Sequence, residues 1–412
     1  MKKKCLKRLG ILMITGLLLA GCGAQTASND TTSASESTLQ EDTSSQATED
    51  GTSADDQNQA SEQKEDNTMP NNPIDEAIAL ETSKVDDAPV EASTEEERIP
   101  TAEISDKIPI KYINLRVTDC GKIEKITYTS YDYFGDGSEV EKAANVYLPA
   151  GYDPEKQYNV LYLMHGIGGD ENEWGMTGST SRVKCIMDNL SYYGDIESFI
   201  VVTPNGRSAA NHAANGSDYN SFYVFGQELR NDLMPYIESH YSTYASEALA
   251  KAGLDAITNQ TGDAEADKTA YAAQKASADK EAINKALQDS RDHRAMAGLS
   301  MGGMQTINIG IGECVDLISY FGAFSAAPTS NPAAKTNSIL KENPYPIHYF
   351  YNICGTEDGI AYPSASAAAK TLPSVCDQFV DGENFMWQEL PGNHDFNIWY
   401  LGFYNFAQIA FK

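Results

Sequence analysis

The pattern of apolar and polar positions predicts a series of short strands and helices beyond the first hundred residues. Ile123–Ser130 alternates apolar and polar residues, which is typical of a half-buried strand. Gln227–Tyr241 has the spacing of an amphipathic helix. Because strands alternate with helices, the pattern predicts an α/β domain with a mainly parallel sheet. The other predicted strands are short and mostly apolar, as buried strands are: Ala143–Leu148, Tyr158–Met164, Phe199–Thr203, Ala295–Leu299, Ile318–Phe324, Ile347–Ile353 and Phe385–Leu390.

One stretch departs from this alternation. Ser246–Gln288 is rich in Ala, Lys, Asp and Glu, and Tyr271 is its one aromatic residue. These strong helix formers predict a helical insertion at the edge of the domain. A neutral surface insertion is the preferred interpretation, and a lid over the active site is the alternative.

The N-terminus has the features of an export signal. Met1–Leu9 is basic and Gly10–Ala20 is apolar, with the length of a signal peptide. The following Leu19-Ala20-Gly21-Cys22 resembles the lipobox of bacterial lipoproteins, in which the cysteine is acylated. We therefore expect residues 1–22 to be a signal peptide with its lipobox, and Cys22 to anchor the protein at the extracellular face of the bacterial membrane. An ordinary signal peptide with a chance cysteine is the alternative.

Acidic and small polar residues dominate the next stretch. Gly23–Arg98 holds twenty acidic and three basic residues and no Phe, Trp or Tyr. Such a segment cannot bury enough apolar surface to offset its ordering entropy, so residues 23–105 are predicted to be a disordered linker. The folded domain is then 106–412. The whole chain of 412 residues carries a formal charge of −29, which argues against a nucleic-acid partner.

A nucleophile motif stands out within the folded part. Gly298-Leu299-Ser300-Met301-Gly302 follows a short apolar strand and precedes a helix-like run. Gly-x-Ser-x-Gly between a strand and a helix is the nucleophile elbow of α/β-hydrolases, where a tight turn projects the serine from the sheet edge. The motif therefore predicts Ser300 as a nucleophile.

Serine needs a positioned base, and the base an orienting acid. In this fold the chain order is serine, acid, histidine. His394, in a loop after a predicted strand, is preferred as the base over His348, which lies within a strand. Asp358, just past Ile347–Ile353, is the preferred acid, and the adjacent Glu357 is its competitor.

A glycine-rich loop supplies candidates for an oxyanion hole. His165-Gly166-Ile167-Gly168-Gly169 follows the strand Tyr158–Met164. Backbone N–H groups of Ile167 and Met301 are the predicted donors to developing negative charge. We expect His165 to brace this loop. The sequence has no metal-binding spacing, so we expect neither a metal nor a cofactor, and the widely spaced cysteines do not suggest a disulfide framework.

With these residues in hand, the chain resembles carbohydrate esterase family one, the feruloyl and acetyl xylan esterases of the esterase-D-like branch of α/β-hydrolases. The resemblance implies an α/β-hydrolase fold, a serine esterase using Ser300, Asp358 and His394, and a plant cell-wall polysaccharide ester as substrate. Ser246–Gln288 is longer than the resemblance predicts. The matching stretches are Asn145–Trp174, Ile200–Asn205, Gln227–Tyr241, Ser290–Gly303 and His394–Phe406.

Two aromatic residues are candidates for contact with the acyl group. Trp174 and Tyr219 lie in polar loops after predicted strands, whereas Phe222 and Phe225 are equally suited to the core. A flat phenolic acyl group could stack on Trp174 and Tyr219, so we expect ferulate to be preferred over acetate. The alternatives are an acetyl xylan esterase or a related ester hydrolase, and a non-catalytic carbohydrate-binding lipoprotein.

Overall fold

The computed structural model describes residues 104–412, and these contain one sheet of eight strands. The strands are β1 Lys122–Tyr131, β2 Glu139–Leu148, β3 Val160–Met164, β4 Ile200–Pro204, β5 Arg294–Leu299, β6 Tyr320–Phe324, β7 Tyr349–Gly355 and β8 Phe385–Leu390. Their order is β1-β2-β4-β3-β5-β6-β7-β8. β2 pairs antiparallel with β1 and β4, and the other neighbours pair parallel. The predicted α/β class with a mainly parallel sheet is confirmed.

Helices cover both faces of this sheet. Helix α2 is continuous from Phe225–Glu228 through a π-helical turn, Leu229–Leu233, to Met234–His240, and α6 is Met301–Gln305 followed by the π-helical turn Thr306–Ile311. Within residues 104–412, no helix has the length and apolarity that crossing a bilayer requires. The remaining helices are α1 Arg182–Tyr192, α3 Ser246–Lys251, α4 Ala264–Ser277, α5 Lys280–Asp289, α7 Ala333–Glu342, α8 Tyr362–Val375 and α9 Phe396–Ile409.

The strand β3 shows how the sheet divides the core into two layers. Leu161 and Leu163 point to the face covered by α1 and α9, and Tyr162 and Met164 point to the face covered by α2. All five residues of β3 are buried, which explains its continuous apolar sequence. Because β3 is packed on both faces, it fixes the positions of β4 and β5, which pair with it in parallel.

The predicted helical insertion contains α3, α4 and α5. Leu249 and Leu287 are fully buried in the layer that contains α2, so the insertion is partly a core element. On the outer side of the insertion, Nζ of Lys268 in α4 lies 2.5 Å from Oε2 of Glu141 in β2. The Leu287 carbonyl also accepts from Arg294 of β5, so the insertion contacts the central sheet as well as α2 and β2.

The signal peptide of residues 1–22, the lipidation at Cys22 and the linker up to residue 103 lie outside the described residues. The predicted end of the linker at residue 105 needs a correction. The Ser105 N–H donates to Asn405 and its carbonyl accepts from Gln388. Ile104 packs on the apolar layer next to α9. These contacts, which link residues about 300 positions apart, place 104 and 105 within the folded domain.

Candidate active site

Ser300 lies in a strained turn between β5 and α6. Its backbone φ is +50° and its ψ is −112°, a conformation that L-residues rarely adopt. The Ser300 N–H donates to the carbonyl of Phe324 on β6, and its carbonyl accepts from Ala327 at 2.9 Å. Hydrogen bonds to the adjacent strand end therefore hold the turn in place, as a strained functional turn requires.

Two glycines allow this turn to pack tightly. A Cβ atom on Gly298 would lie 2.6 Å from the backbone carbon of Gly302, and one on Gly302 would lie 2.5 Å from the Met164 carbonyl oxygen. Both contacts are with backbone atoms, which have little room to move. The glycines of the Gly-x-Ser-x-Gly motif are thus required by close approach of α6 to β3.

The structure brings Ser300, His394 and Asp358 together. Nε2 of His394 lies 3.0 Å from Oγ of Ser300, and Nδ1 lies 2.7 Å from Oδ2 of Asp358. The ring of Trp399 meets the His394 ring edge-on at 5.0 Å and limits its rotation. This is the hydrogen-bonded order of nucleophile, base and acid that a serine hydrolase uses.

Backbone groups hold the Asp358 carboxylate as an anion. Its Oδ1 accepts from the N–H groups of Ile360 and Ala361 at 3.0 and 2.8 Å. Burial raises the pKa of Asp358, but hydrogen bonds from Ala361, His394 and the Ser325 hydroxyl outweigh burial and hold the pKa below its usual value. Ser325 has a φ of +46° at the end of β6, and the sequence analysis did not identify it.

The competitor Glu357 is placed differently. Its side chain is exposed, and its backbone N–H donates to the carbonyl of Gly392. The turn after β7 therefore points two adjacent carboxylates in different directions, with Asp358 inward and Glu357 outward. This arrangement assigns the acid's position to Asp358.

The loop after β3 runs against the nucleophile. A Cβ atom on Gly166 would lie 3.4 Å from Cβ of Ser300, and the Gly166 N–H donates to Glu173 at 2.5 Å. The side chains of Ile167 and Met301 belong to one apolar cluster beside the serine. Within residues 104–412, the N–H groups of Ile167 and Met301 donate to no acceptor. These two groups stay candidates for the oxyanion hole.

His165 joins this loop to the turn after β4. Its Nδ1 lies 2.7 Å from the Gly166 carbonyl, and its Nε2 accepts from the N–H of Gly206 at 2.9 Å. One nitrogen donates and the other accepts, which defines a neutral ring. Burial lowers the pKa of His165 to about 4, so the ring stays neutral at pH 7. These contacts fit the predicted bracing role.

The predicted substrate contact of Trp174 is wrong. Trp174 is fully buried, and its indole N–H donates to the Met164 carbonyl at 3.0 Å. Aromatic rings of α9 and β6 surround it, with centroids 5.7–6.2 Å away: Phe324, Phe396, Tyr400 and Phe403. Trp174 therefore fastens the loop to the core and presents no face to a ligand.

Apolar side chains pack around Met301, the residue that follows Ser300. Phe222, Met301, Met304 and Ala327 form a buried cluster, against which the half-buried Ile167 and Tyr223 pack. We call these six residues the acyl-side cluster. Tyr223 lies in the aromatic run of residues 219–225, from which the sequence analysis selected Tyr219 alone as a substrate contact.

Three further aromatic predictions have different outcomes. Tyr219 is half exposed at the start of the 3₁₀ turn Asn220–Val224, and its substrate contact stays a prediction. Phe222 belongs to the acyl-side cluster, whereas Phe225 lies in the core layer with α2. Both phenylalanines are fully buried, so both fill the core, which is one of the two roles that the sequence left open.

Comparisons with known proteins agree with this geometry. The esterase family model, described as "Putative esterase", matches residues 139–254. The chain is 32% identical over 295 residues to endo-1,4-beta-xylanase Y of Acetivibrio thermocellus, and 27% identical over 248 residues to an endo-1,4-beta-xylanase/feruloyl esterase of Xylanibacter ruminicola. These alignments cover 69% and 58% of this chain but 22% and 25% of the relatives. The chain spans about a quarter of the length of these relatives.

Solved structures extend the comparison to the fold. A mutant feruloyl esterase module of Clostridium thermocellum, complexed with sinapinate, matches with a TM-score of 0.55 and 25% identity over 74% of this chain and 93% of its own. A ferulic acid esterase of Anaeromyces mucronatus matches with a TM-score of 0.55 and 26% identity over 76% and 98%. The chain has the α/β-hydrolase fold. The similarities as a set support a carboxylic ester hydrolase.

The α/β-hydrolase fold explains why these distant residues meet. Ser300, Asp358 and His394 follow β5, β7 and β8, whose carboxyl ends lie at one edge of the sheet. The arrangement can activate a hydroxyl nucleophile and transfer its proton. Among residues 104–412, no group of three His, Cys, Asp or Glu side chains is arranged to hold a metal ion.

Proposed function

We propose that this protein is a serine esterase that releases ferulic or related hydroxycinnamic acids from plant xylan through an acyl-enzyme. The observation that carries this proposal is the hydrogen-bonded series from Ser300 Oγ through His394 to Asp358. The acyl-side cluster lies beside that serine. Relatives and solved structures named as feruloyl esterases support the substrate class.

In the first half of the reaction, Ser300 Oγ attacks the ester carbonyl carbon while Nε2 of His394 takes the hydroxyl proton. The carbonyl oxygen becomes an oxyanion, which the N–H groups of Ile167 and Met301 stabilise. When the tetrahedral intermediate collapses, the carbon–oxygen bond to the sugar breaks. His394 returns its proton to the sugar oxygen, and the acyl group stays on Ser300.

In the second half, water replaces the sugar as the reacting group. His394 takes a proton from this water as the oxygen attacks the acyl-enzyme carbonyl. Collapse of the second tetrahedral intermediate returns the proton to Ser300 Oγ and releases the carboxylic acid. Asp358 stays an anion throughout and stabilises the imidazolium that forms in each half.

The acyl-side cluster supports an aromatic acyl group. Ile167 and Tyr223 keep part of their surface exposed next to the buried Phe222 and Met304. A phenylpropenoyl group buries much more apolar area against such a surface than an acetyl group does, and apolar burial contributes about 25 cal/mol per Å². Acetyl xylan esterase activity is therefore the second candidate.

A substrate panel tests the proposal. Wild type should hydrolyse methyl ferulate with a higher kcat/KM than p-nitrophenyl acetate and should release ferulate from feruloylated arabinoxylan. Ser300→Ala should abolish both activities, while Ser277→Ala, at an exposed serine of α4, should leave them unchanged. Deacetylation of xylan without ferulate release would favour an acetyl xylan esterase over a feruloyl esterase. Absence of any ester hydrolysis would overturn the proposal.

We also propose that acylation of Cys22 anchors the enzyme at the extracellular face of the bacterial membrane, with the acidic segment of residues 23–103 as the spacer. The basic Met1–Leu9, the apolar Gly10–Ala20 and the Leu-Ala-Gly-Cys sequence support it. Two acyl chains suffice for stable anchoring. Cys22→Ser should move the enzyme from the membrane fraction to the medium or leave an unprocessed precursor, whereas Cys120→Ser should not. Unchanged membrane association of a normally processed Cys22→Ser protein would refute the anchor.

A further inference from the structure

Arg207 is a fully buried cation that forms no direct ion pair within residues 104–412, although the charges of Asp218, Asp170 and Glu173 act against the lowering of its pKa by burial. It lies three residues beyond β4, and none of the ion pairs recorded within residues 104–412 includes it. Its Nε is buried and has no hydrogen-bond partner. Burying an unpaired charge costs several kcal/mol in general, so a guanidinium in this place needs a reason beyond packing.

The guanidinium donates its hydrogen bonds to the loop next to the nucleophile. Nη1 donates to the Gly169 carbonyl at 2.6 Å, and Nη2 donates to the carbonyl of Ile167. Nη2 also donates to the Asn215 carbonyl at 3.1 Å, and the guanidinium carbon lies 4.7 Å from the Phe222 ring centroid. One planar group thus contacts the loop that carries Ile167, the carbonyl of Asn215 and the ring of Phe222 in the acyl-side cluster.

The turn that carries Arg207 is itself fixed on two sides. The buried Lys142 donates to the carbonyls of Asn205 and Arg207 and is paired with Glu228 at 3.2 Å. The Gly206 N–H donates to His165, which also contacts the loop after β3. These hydrogen bonds fix the backbone of the turn and therefore the position from which the Arg207 side chain extends.

We propose that Arg207 is a positioning residue for the oxyanion hole. By holding the carbonyls of Ile167 and Gly169, it fixes the backbone that follows the Ile167 N–H, so that this N–H faces the reacting carbonyl oxygen. The planar fork of arginine can donate to two carbonyls at once, which lysine cannot do in the same geometry. This inference rests on the proposed esterase function. Arg207 contacts neither the substrate nor the triad, so we expect its effect on the reaction to pass through Ile167.

Arg291 offers a matched control. It is also buried and donates to three backbone carbonyls, those of Val315, Ile318 and Pro346. It precedes β5, at the sheet edge opposite Ser300. Arg207→Met and Arg291→Met therefore each remove a buried guanidinium that donates to three backbone carbonyls, although Arg291 also pairs with Asp292 at 3.0 Å.

The test measures kcat and KM for p-nitrophenyl acetate, together with inhibition by phenylboronic acid, whose serine adduct is tetrahedral. Arg207→Met should lower kcat by about 10- to 100-fold with little change in KM, since removing an oxyanion donor outright costs about 10²- to 10³-fold. Binding of phenylboronic acid should weaken by a similar factor, and the pH at half-maximal kcat should not move. Arg291→Met should lower the melting temperature and keep kcat.

Arg207→Lys keeps the charge and provides a folded variant if Arg207→Met does not fold. Lysine should recover part of kcat, because a single ammonium can hold one of the two carbonyls. Equal kcat in wild type, Arg207→Lys and Arg207→Met, or a loss confined to KM, would overturn the inference. A wild-type protein that hydrolyses no ester would instead overturn the proposed function, so the two failures are distinguishable.

Discussion

Nδ1 of His394 lies 2.7 Å from Oδ2 of Asp358, while the side chain of the adjacent Glu357 is exposed. This contact fixes which nitrogen of His394 carries the proton, so that Nε2 faces Ser300 as an acceptor. The conformation of the turn after β7 thus directs Asp358, and not Glu357, toward His394, a distinction that the sequence alone could not make.

The first prediction follows from this contact. Asp358→Asn should lower kcat by about 10⁴-fold, because the amide stabilises the wrong tautomer and cannot stabilise the imidazolium. Glu357→Gln is the control and should stay within a few-fold of wild type. Circular dichroism should show that both variants fold. The reverse ranking of the two variants would move the acid to Glu357.

The second prediction concerns Trp174. Replacing this buried ring by alanine should lower the free energy of unfolding by about 3–5 kcal/mol, since it removes packing against α9 and leaves the Met164 carbonyl without its donor. Urea unfolding measures this effect, with the half-buried Trp387→Ala as control. For the folded fraction, kcat/KM should change by the same factor with ferulate and acetate esters. A loss of kcat/KM confined to the ferulate ester would instead support stacking of Trp174 on the acyl group.

The third prediction concerns the acyl-side cluster. Tyr223→Ala should lower kcat/KM for methyl ferulate about 2- to 10-fold more than for p-nitrophenyl acetate, which corresponds to an aromatic contact of about 0.5–1.5 kcal/mol. Tyr345→Ala, at an exposed tyrosine in the loop before β7, is the control. The same measurement on Tyr219→Ala tests the residue that the sequence analysis selected. Equal losses on both esters would exclude Tyr223 from acyl recognition.

The fourth prediction concerns stability against pH. The pKa of His165 is lowered by burial to about 4 in the folded state, compared with about 6.5 for an unperturbed histidine. The unfolded chain then binds the proton first, so the stability due to a neutral His165 is complete above about pH 6.5 and is lost as the pH falls toward 4.

Between pH 7 and pH 5 this loss should be about 2 kcal/mol. His165→Gln should be less stable than wild type at pH 7 but should show a smaller decrease on acidification, measured by urea unfolding at both pH values. His212→Gln, in a partly exposed loop, is the control. An unchanged decrease in His165→Gln would show that other groups cause the acid sensitivity.

Local sequence patterns predicted the strands well, because strand formation depends largely on residues that are close together in the sequence. The run Val160–Met164 is buried on both faces, and the glycines around Ser300 reflect a close approach that only glycine permits. Chain order placed His394 correctly beside Ser300. These features need no knowledge of distant contacts.

Trp174 and Arg207 show where such reasoning fails. Trp174 lies in a polar sequence, but rings more than 140 residues away cover it in the folded chain. Arg207 has no motif around it, and its hydrogen bonds go to backbone carbonyls, which leave no trace in the sequence. The burial of a loop residue depends on which distant element packs over it, and this information is absent from a local pattern.

The separation between Ser300 and His394 has a consequence for the newly made chain. The two residues are 94 positions apart, and β6, β7 and β8 are synthesised between them. Chains are made from the N-terminus at about 5–20 residues per second, so the serine precedes its base by several seconds. During that interval Ser300 is an ordinary alcohol. The enzyme therefore becomes reactive only when its last strands have docked, and a nascent or incompletely folded chain cannot hydrolyse esters in the cell that makes it.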